Sequence, residues 1–252
     1  MTWVVDIGNS SIKWAEYEAG GIKESQSYLR TASTVAEDLD CIWADLETPD
    51  EIICTCVAGD QFEQAFIEWC EKTWRLQPQF IHATEQACGV VNAYTRADRL
   101  GADRWAALVA AHRLVPGPSC IIDCGTATTI DVMQADGQHL GGLIIPGMKL
   151  MRESLSGRTH MLVEESEGGN TTLFARNTAD AINGGALYTV VATLDRVYND
   201  VDQTLGVQVK RVITGGDAED LLPLLQGEAI FLPDLVLQGL AVIYQSMQEG
   251  DL

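Results

Sequence analysis

Positive charge is scarce in this chain. Sixteen Lys and Arg stand against thirty-six Asp and Glu, a formal net charge of −20 over 252 residues. A field of that sign repels nucleic acid and anionic lipid, and no basic run offers a local exception, so neither partner is expected. Long hydrophobic runs are missing too. A membrane helix needs roughly 20 apolar residues, whereas the best stretch, residues 106–115, is short and interrupted by His112 and Arg113. A secretory leader is not expected either, because no Lys or Arg precedes Lys13 and Asp6 breaks the first apolar run. The seven cysteines are an odd number, form no CxxC pair and have no His at ligand spacing beside them. Cys54 and Cys56, like Cys120 and Cys124, fall in strand-like apolar runs and read as small buried hydrophobes of a reducing, cytoplasmic compartment. No proline- or serine-rich linker divides the chain, and the glycine-rich segment 168–170 is only a loop candidate.

The hydrophobic fraction of 46% is enough for a buried core. Trp3-Val4-Val5 reads as a buried strand that ends at Asp6-Ile7-Gly8-Asn9. A second strand is expected over residues 11–17 and, after the Gly20-Gly21 turn, a third over 22–29. Val35, Leu39, Ile42 and Leu46 have helical spacing; residues 51–57 form a strand, and Phe62, Phe66, Trp69 and Cys70 mark another helix. The second half restarts the pattern. Strands are expected at 120–122, 128–133 and 141–145, then a long helix carrying Leu187, Val190, Val191, Leu194, Val197 and Tyr198. A strand at 209–214 and helices at 218–225 and 235–247 complete it.

The segments VVDIGNSSIKW and IIDCGTATTID match in design at an offset of 117 residues. That self-match predicts an α/β protein of two similar βββαβα halves, residues 1–115 and 116–252, with a cleft between them. Each copy ends a strand in Asp-x-Gly before a tight turn. A carboxylate fixed there can hold Mg²⁺ directly or through water, and glycine lets the backbone approach a phosphate closely. The amides and hydroxyls that follow can donate to phosphate oxygens. One such turn alone is ordinary; two in register point to a nucleotide. A third glycine turn, Thr214-Gly215-Gly216-Asp217, could admit a base or ribose or be a plain strand–helix turn.

Four segments carry a resemblance: DIGNSSIK at 6–13, GADR at 101–104, DCGTATTID at 123–131 and NTADAI at 177–182, with GGLIIPGM at 141–148 as a fifth. Together they resemble type III pantothenate kinase, within the acetate and sugar kinase, chaperone and actin superfamily. The resemblance implies a duplicated ribonuclease H-like (actin-like) fold and a homodimer. It implies ATP-dependent phosphorylation of pantothenate, the first step of coenzyme A synthesis, with Mg²⁺ and a monovalent cation (K⁺ or NH₄⁺). On this likeness Asp6, Ile7, Gly8, Asn9, Ser10, Ser11, Ile12 and Lys13 form the first phosphate loop, with Asp6 also on Mg²⁺. Thr126 contacts ATP, and Asp123 holds the monovalent cation. Tyr94, Gly101, Ala102, Asp103, Arg104 and Thr178 line the pantothenate site, Asp103 as the general base and Thr178 as a residue supplied across the dimer. The chain departs from the family's first motif at Ser10, where Thr is usual, and at Ala15-Glu16, where a Gly often follows.

The residues themselves allow these roles alongside plainer ones. Asp103, just ahead of Trp105, Leu108 and Val109, falls in the first turn of an expected amphipathic helix; it could face a cleft or be a helix-start Asp. Arg104 could fork onto a carboxylate or form a surface ion pair. Lys13 could neutralise phosphate or be the solvent-facing residue of an edge strand. Asn177 could cap the long helix, whose Gly184-Gly185 pair suggests close packing at a subunit interface. Two other readings remain at this point: another small-molecule kinase or phosphatase of the superfamily, or an accessory, regulatory protein of the same fold.

Overall fold

The computed structural model describes residues 1–31, 34–156 and 171–250; the loop candidate at 168–170 lies outside them. By contacts the chain forms two compact units, 1–116 with 135–139 and 234–252, and 117–134 with 140–233.

The first unit opens with β1 (Thr2–Ile7) and β2 (Ser11–Glu18), an antiparallel hairpin whose register runs unbroken from Thr2↔Tyr17 to Ile7↔Ile12. Ala15 is buried opposite Val4 in that ladder, so the hairpin needs no glycine there. The third expected strand divides into β3 (Gly21–Ile22) and β4 (Gln26–Leu29), both paired with β2. Lys13 is therefore on an inner strand, not an edge. Helix α1 (Val35–Trp43) starts at a capping box: Thr34 accepts from the Glu37 N–H, and the Glu37 carboxylate accepts from the Thr34 N–H. Next come β5 (Glu51–Cys56), parallel to β1, α2 (Asp60–Trp74), β6 (Gln79–Phe80) and the small hairpin of β7 (Gln86–Ala87) and β8 (Val90–Val91). The main sheet order is β3-β2-β1-β5-β6. Trp43 joins Trp3, Trp14, Phe66, Trp69 and Trp74 in one buried cluster under β1 and β2, with ring centroids 5.5–6.1 Å from its own. Aromatic side chains are few, but they are concentrated where the strands bearing the first loop must be held.

Helix α3 (Ala102–Leu114) differs from the amphipathic helix expected: every residue from Arg104 to Ala111 is buried. It is covered by α7 (Leu235–Glu249), the last helix of the chain, where Gly239 lies so close that a Cβ would stand 1.9 Å from the Ala106 carbonyl oxygen. That contact explains why α7, second-half by sequence order, packs with the first unit.

The second unit repeats the sheet. Strands β9 (Ser119–Cys124) and β10 (Ala127–Met133) are antiparallel, β11 (His139–Pro146) borders β10, and β12 (Lys210–Thr214) and β13 (Ile230–Phe231) run parallel to β9 and β12. The order β11-β10-β9-β12-β13 matches the main order of the first sheet, with β4 lacking a counterpart, and is the order of a ribonuclease H-like unit. Helices α4 (Met148–Ser156), α5 (Thr178–Leu205) and α6 (Ala218–Leu221) complete it; the last continues as a short 3₁₀ turn, Leu222–Leu224. The two-residue fifth strands, β6 and β13, were not expected from the sequence.

Candidate active site

The β1–β2 turn begins at Asp6, half-buried at a strand end with Thr55 of β5 as its parallel neighbour. The Thr55 hydroxyl donates to Asp6 Oδ1 at 2.9 Å, fixing the carboxylate from the neighbouring strand. The Gly8 N–H closes the turn on the Ser11 carbonyl at 2.9 Å. Ile7 and Ile12 are fully buried, so only their backbone can serve a ligand; Asn9 is exposed and Ser10, Ser11 and Lys13 are half-buried.

Asp103 occupies the first turn of α3, its Oδ1 accepting from the Arg104 N–H at 2.7 Å. The positive end of a helix favours a carboxylate there. The N-cap, Gly101, offers no side chain, and its lack of a Cβ makes the space: one built at 101 would meet Asp103 Oδ1 at 2.5 Å. Arg104 is 6% exposed, so it is no surface ion pair. Its Nη1 donates to the Tyr94 hydroxyl at 2.9 Å, and the Tyr94 ring stacks on buried His139 at 6.2 Å and 16°. Five expected substrate residues (Tyr94, Gly101, Ala102, Asp103 and Arg104) thus belong to one cluster, with His139 as an unforeseen support.

In the second unit, Asp123 and Thr126 flank the β9–β10 turn. Gly147 donates its N–H to the Thr126 carbonyl at 3.0 Å, and a Cβ at 147 would stand 2.2 Å from the Gly125 oxygen. Gly215, at φ +95°, packs against the other side: its Cβ would meet Asp123 Oδ1 and the Cys124 backbone at 2.5 Å. The backbone at Gly125, Gly147 and Gly215 therefore converges at the end of β9, a close approach that any side chain would spoil. Thr126 itself is exposed. At the third turn, burial pushes the Asp217 carboxyl above the ordinary range, with Arg152 opposing and Asp220 reinforcing.

Thr178 is the first residue of α5, and Asn177 caps that helix as expected, its Oδ1 accepting from the Asp180 N–H at 2.8 Å. The two glycines of the Gly184-Gly185 pair have different surroundings within the chain. Gly184 lies against its own chain, where a Cβ would meet the Thr172 carbonyl at 2.6 Å, while Gly185 faces open space.

The type III pantothenate kinase family profile matches residues 2–200. A type III pantothenate kinase from Nitrosococcus oceani is 41% identical over 246 residues, covering 96% of this chain and 92% of its own. This chain belongs to the type III pantothenate kinase family. Among solved structures, a candidate Baf family transcriptional activator from Campylobacter jejuni aligns with a TM-score of 0.61 at 19% identity, covering 98% and 99% of the two chains. An activator of 2-hydroxyisocaproyl-CoA dehydratase from Clostridium difficile, solved with bound ADPNP, aligns at 0.52 and 14% identity, covering 98% and 97%. At such identities the likeness is one of fold, the actin-like α/β arrangement with two sheet-bearing halves. The pantothenate kinase match carries the chemistry.

The residues present can suit the divalent cation that a kinase generally uses with ATP. Asp6, Asp123 and the neighbouring hydroxyls are hard oxygen donors, the class that suits Mg²⁺ and alkali cations. Among the described residues no group of three or more His, Cys, Asp or Glu forms a dedicated metal cage.

Proposed function

We propose that this chain transfers the γ-phosphate of ATP to the primary alcohol of pantothenate, opening coenzyme A synthesis. The observation that carries the reading is the Asp103 carboxylate, set over the α3 N-terminus beside the buried Arg104–Tyr94 pair, in a chain of this family. Phosphoryl transfer to an alcohol needs a group to receive the hydroxyl proton, in-line positioning and neutralised phosphate charge. Asp103 Oδ takes the proton. Arg104, already oriented by Tyr94, binds the pantothenate carboxylate, and Gly101 and Ala102 bring the backbone close. Residues 6–13 cradle the phosphates, with the Ser10 and Ser11 hydroxyls as donors, Lys13 as a cation and Ile7 and Ile12 through backbone alone. Thr126 donates to ATP from the second turn. Asp6 would hold Mg²⁺, directly or through water, and Asp123 would hold a K⁺ or NH₄⁺ ion; bound there, the cations would supply neutralisation of phosphate charge.

The active form is a homodimer in the cytoplasm, with Thr178 of the partner subunit completing the pantothenate site. Support comes from apolar side chains left in solvent: Leu143 and Ile144 of the edge strand β11, 50% and 61% exposed, and Phe174, 82% exposed near the start of α5. A coupled assay of ADP release tests the reading with a panel of alcohols and carboxylates, in potassium, ammonium or a bulky organic cation at matched ionic strength. Pantothenate should be the preferred acceptor and the small cations should activate. A different preferred acceptor refutes the substrate, and equal rates in all cations refute the role of Asp123.

A further inference from the structure

Arg30 follows β4 at the end of the first sheet, and nothing in the phosphate-loop motif calls for it. Its Nη1 donates to two consecutive loop carbonyls, Gly8 at 3.2 Å and Asn9 at 2.9 Å, and its own N–H donates to Ser10 at 2.9 Å. Three successive carbonyls of the β1–β2 turn therefore point toward one residue. A trans peptide carries its N–H opposite its C=O. Holding the Gly8 and Asn9 carbonyls on one side turns the N–H groups of Asn9 and Ser10 to the other. Successive amides aimed one way make an anion-binding concavity.

The guanidinium is itself fixed from two helices. Asp38 of α1, 2% exposed, lies 3.7 Å from Arg30 Nε and accepts the Thr31 N–H at 3.2 Å. The buried ring of Phe62, on α2, stands 4.1 Å from the guanidinium centre. Arg30 spans core and loop, and its placement costs the loop none of its own side chains.

We infer that Arg30 is the positioning residue of the first phosphate loop, holding its carbonyls back so that its amides face the ATP phosphates. This rests on the kinase reading above. A single ammonium cannot reproduce the arrangement of a guanidinium fork held by a carboxylate and a ring, so lysine is not an equivalent. The role is specific to nucleotide, and it separates from a general contribution to folding.

The test measures kcat and KM for ATP and for pantothenate in wild type, Arg30→Ala and Arg30→Lys, with thermal midpoints alongside. The expected result is an ATP KM raised at least about tenfold in both variants, equivalent to roughly 1.4 kcal/mol of lost binding. Pantothenate KM should stay within about twofold of wild type. If Arg30→Ala does not fold, Arg30→Lys, which keeps volume and charge, decides alone. An unchanged ATP KM in the folded variants, or equal rises for both substrates, overturns the assignment. Wild-type protein that phosphorylates no pantothenate overturns the kinase reading instead, so the two failures are told apart.

Discussion

Replacing Gly101 by Ala should leave the protein folded and yet remove most of its activity. Residue 101 has φ −56° and ψ 137°, a conformation open to any L-residue, so the backbone does not object. The new Cβ, however, would stand 2.5 Å from Asp103 Oδ1, where ordinary van der Waals contact begins near 3.4 Å. The carboxylate must then retreat by about 0.9 Å. The atom that moves is the end of a side chain; the next nearest atoms, Asp103 Cγ at 3.7 Å and Arg104 Cδ at 3.8 Å, are comfortable. Stability is therefore expected to change little. A displacement of about 1 Å in a catalytic group can cost on the order of 10²-fold in rate, and kcat should fall by about that much. Steady-state kinetics and a thermal melt measure both quantities. Because the effect runs through Asp103, adding Gly101→Ala to Asp103→Asn should cost almost nothing further. A kcat within about threefold of wild type, or an additive double variant, would refute the claim that Gly101 exists to seat the Asp103 carboxylate.

Other outcomes follow from the packing and the proposed assembly. Gly239→Ala drives a Cβ to 1.9 Å from the Ala106 carbonyl oxygen; forcing α7 off α3 should cost about 1–3 kcal/mol, read as a lowered melting temperature with activity falling in step. Native protein treated with a thiol reagent at pH 8 should label exposed Cys41 first. Cys70 and Cys120, whose thiols burial pushes up to about 12, and deeply buried Cys54 and Cys124 should react only after unfolding. Early labelling of those four would contradict the core described for both units. Mixed Asp103→Asn and Thr178→Arg proteins, each inactive alone, should regain activity on subunit exchange toward about a quarter of the sites, by the two-fold arithmetic of an isologous dimer. No recovery despite exchange would place the whole site within one chain.

Much of the fold was legible because its signals are local. Val-Val-Asp-x-Gly and Ile-Ile-Asp-x-Gly each place a buried strand before a tight turn, and both turns lie where that pattern puts them. Asn177 was readable as a cap because capping is a property of a few adjacent residues. What was missed depends on residues far apart in sequence. The burial of α3 all round could not be inferred from α3, since its cover, α7, comes more than a hundred residues later. Thr55 on Asp6 is a neighbour only once β5 lies beside β1, and His139 reaches Tyr94 only through the return of segment 135–139 to the first unit. Strands β6 and β13 have two residues each, too few for any periodicity to show. Gly184 shows the same limit: glycine in a helix signals close approach, as its contact with Thr172 bears out, without naming the neighbour.

The most direct test of the central claim is the identity of the product. Purified protein is incubated with ATP, Mg²⁺, K⁺ and pantothenate, and the mixture is analysed by phosphorus NMR and mass spectrometry, with Asp103→Asn in parallel. The account predicts stoichiometric ADP and 4'-phosphopantothenate from the wild type. Asp103→Asn, which keeps size but loses the base, should be slower by about 10²–10⁴-fold. ADP without phosphopantothenate, or an Asp103→Asn rate within about tenfold of wild type at saturating substrates, would contradict it.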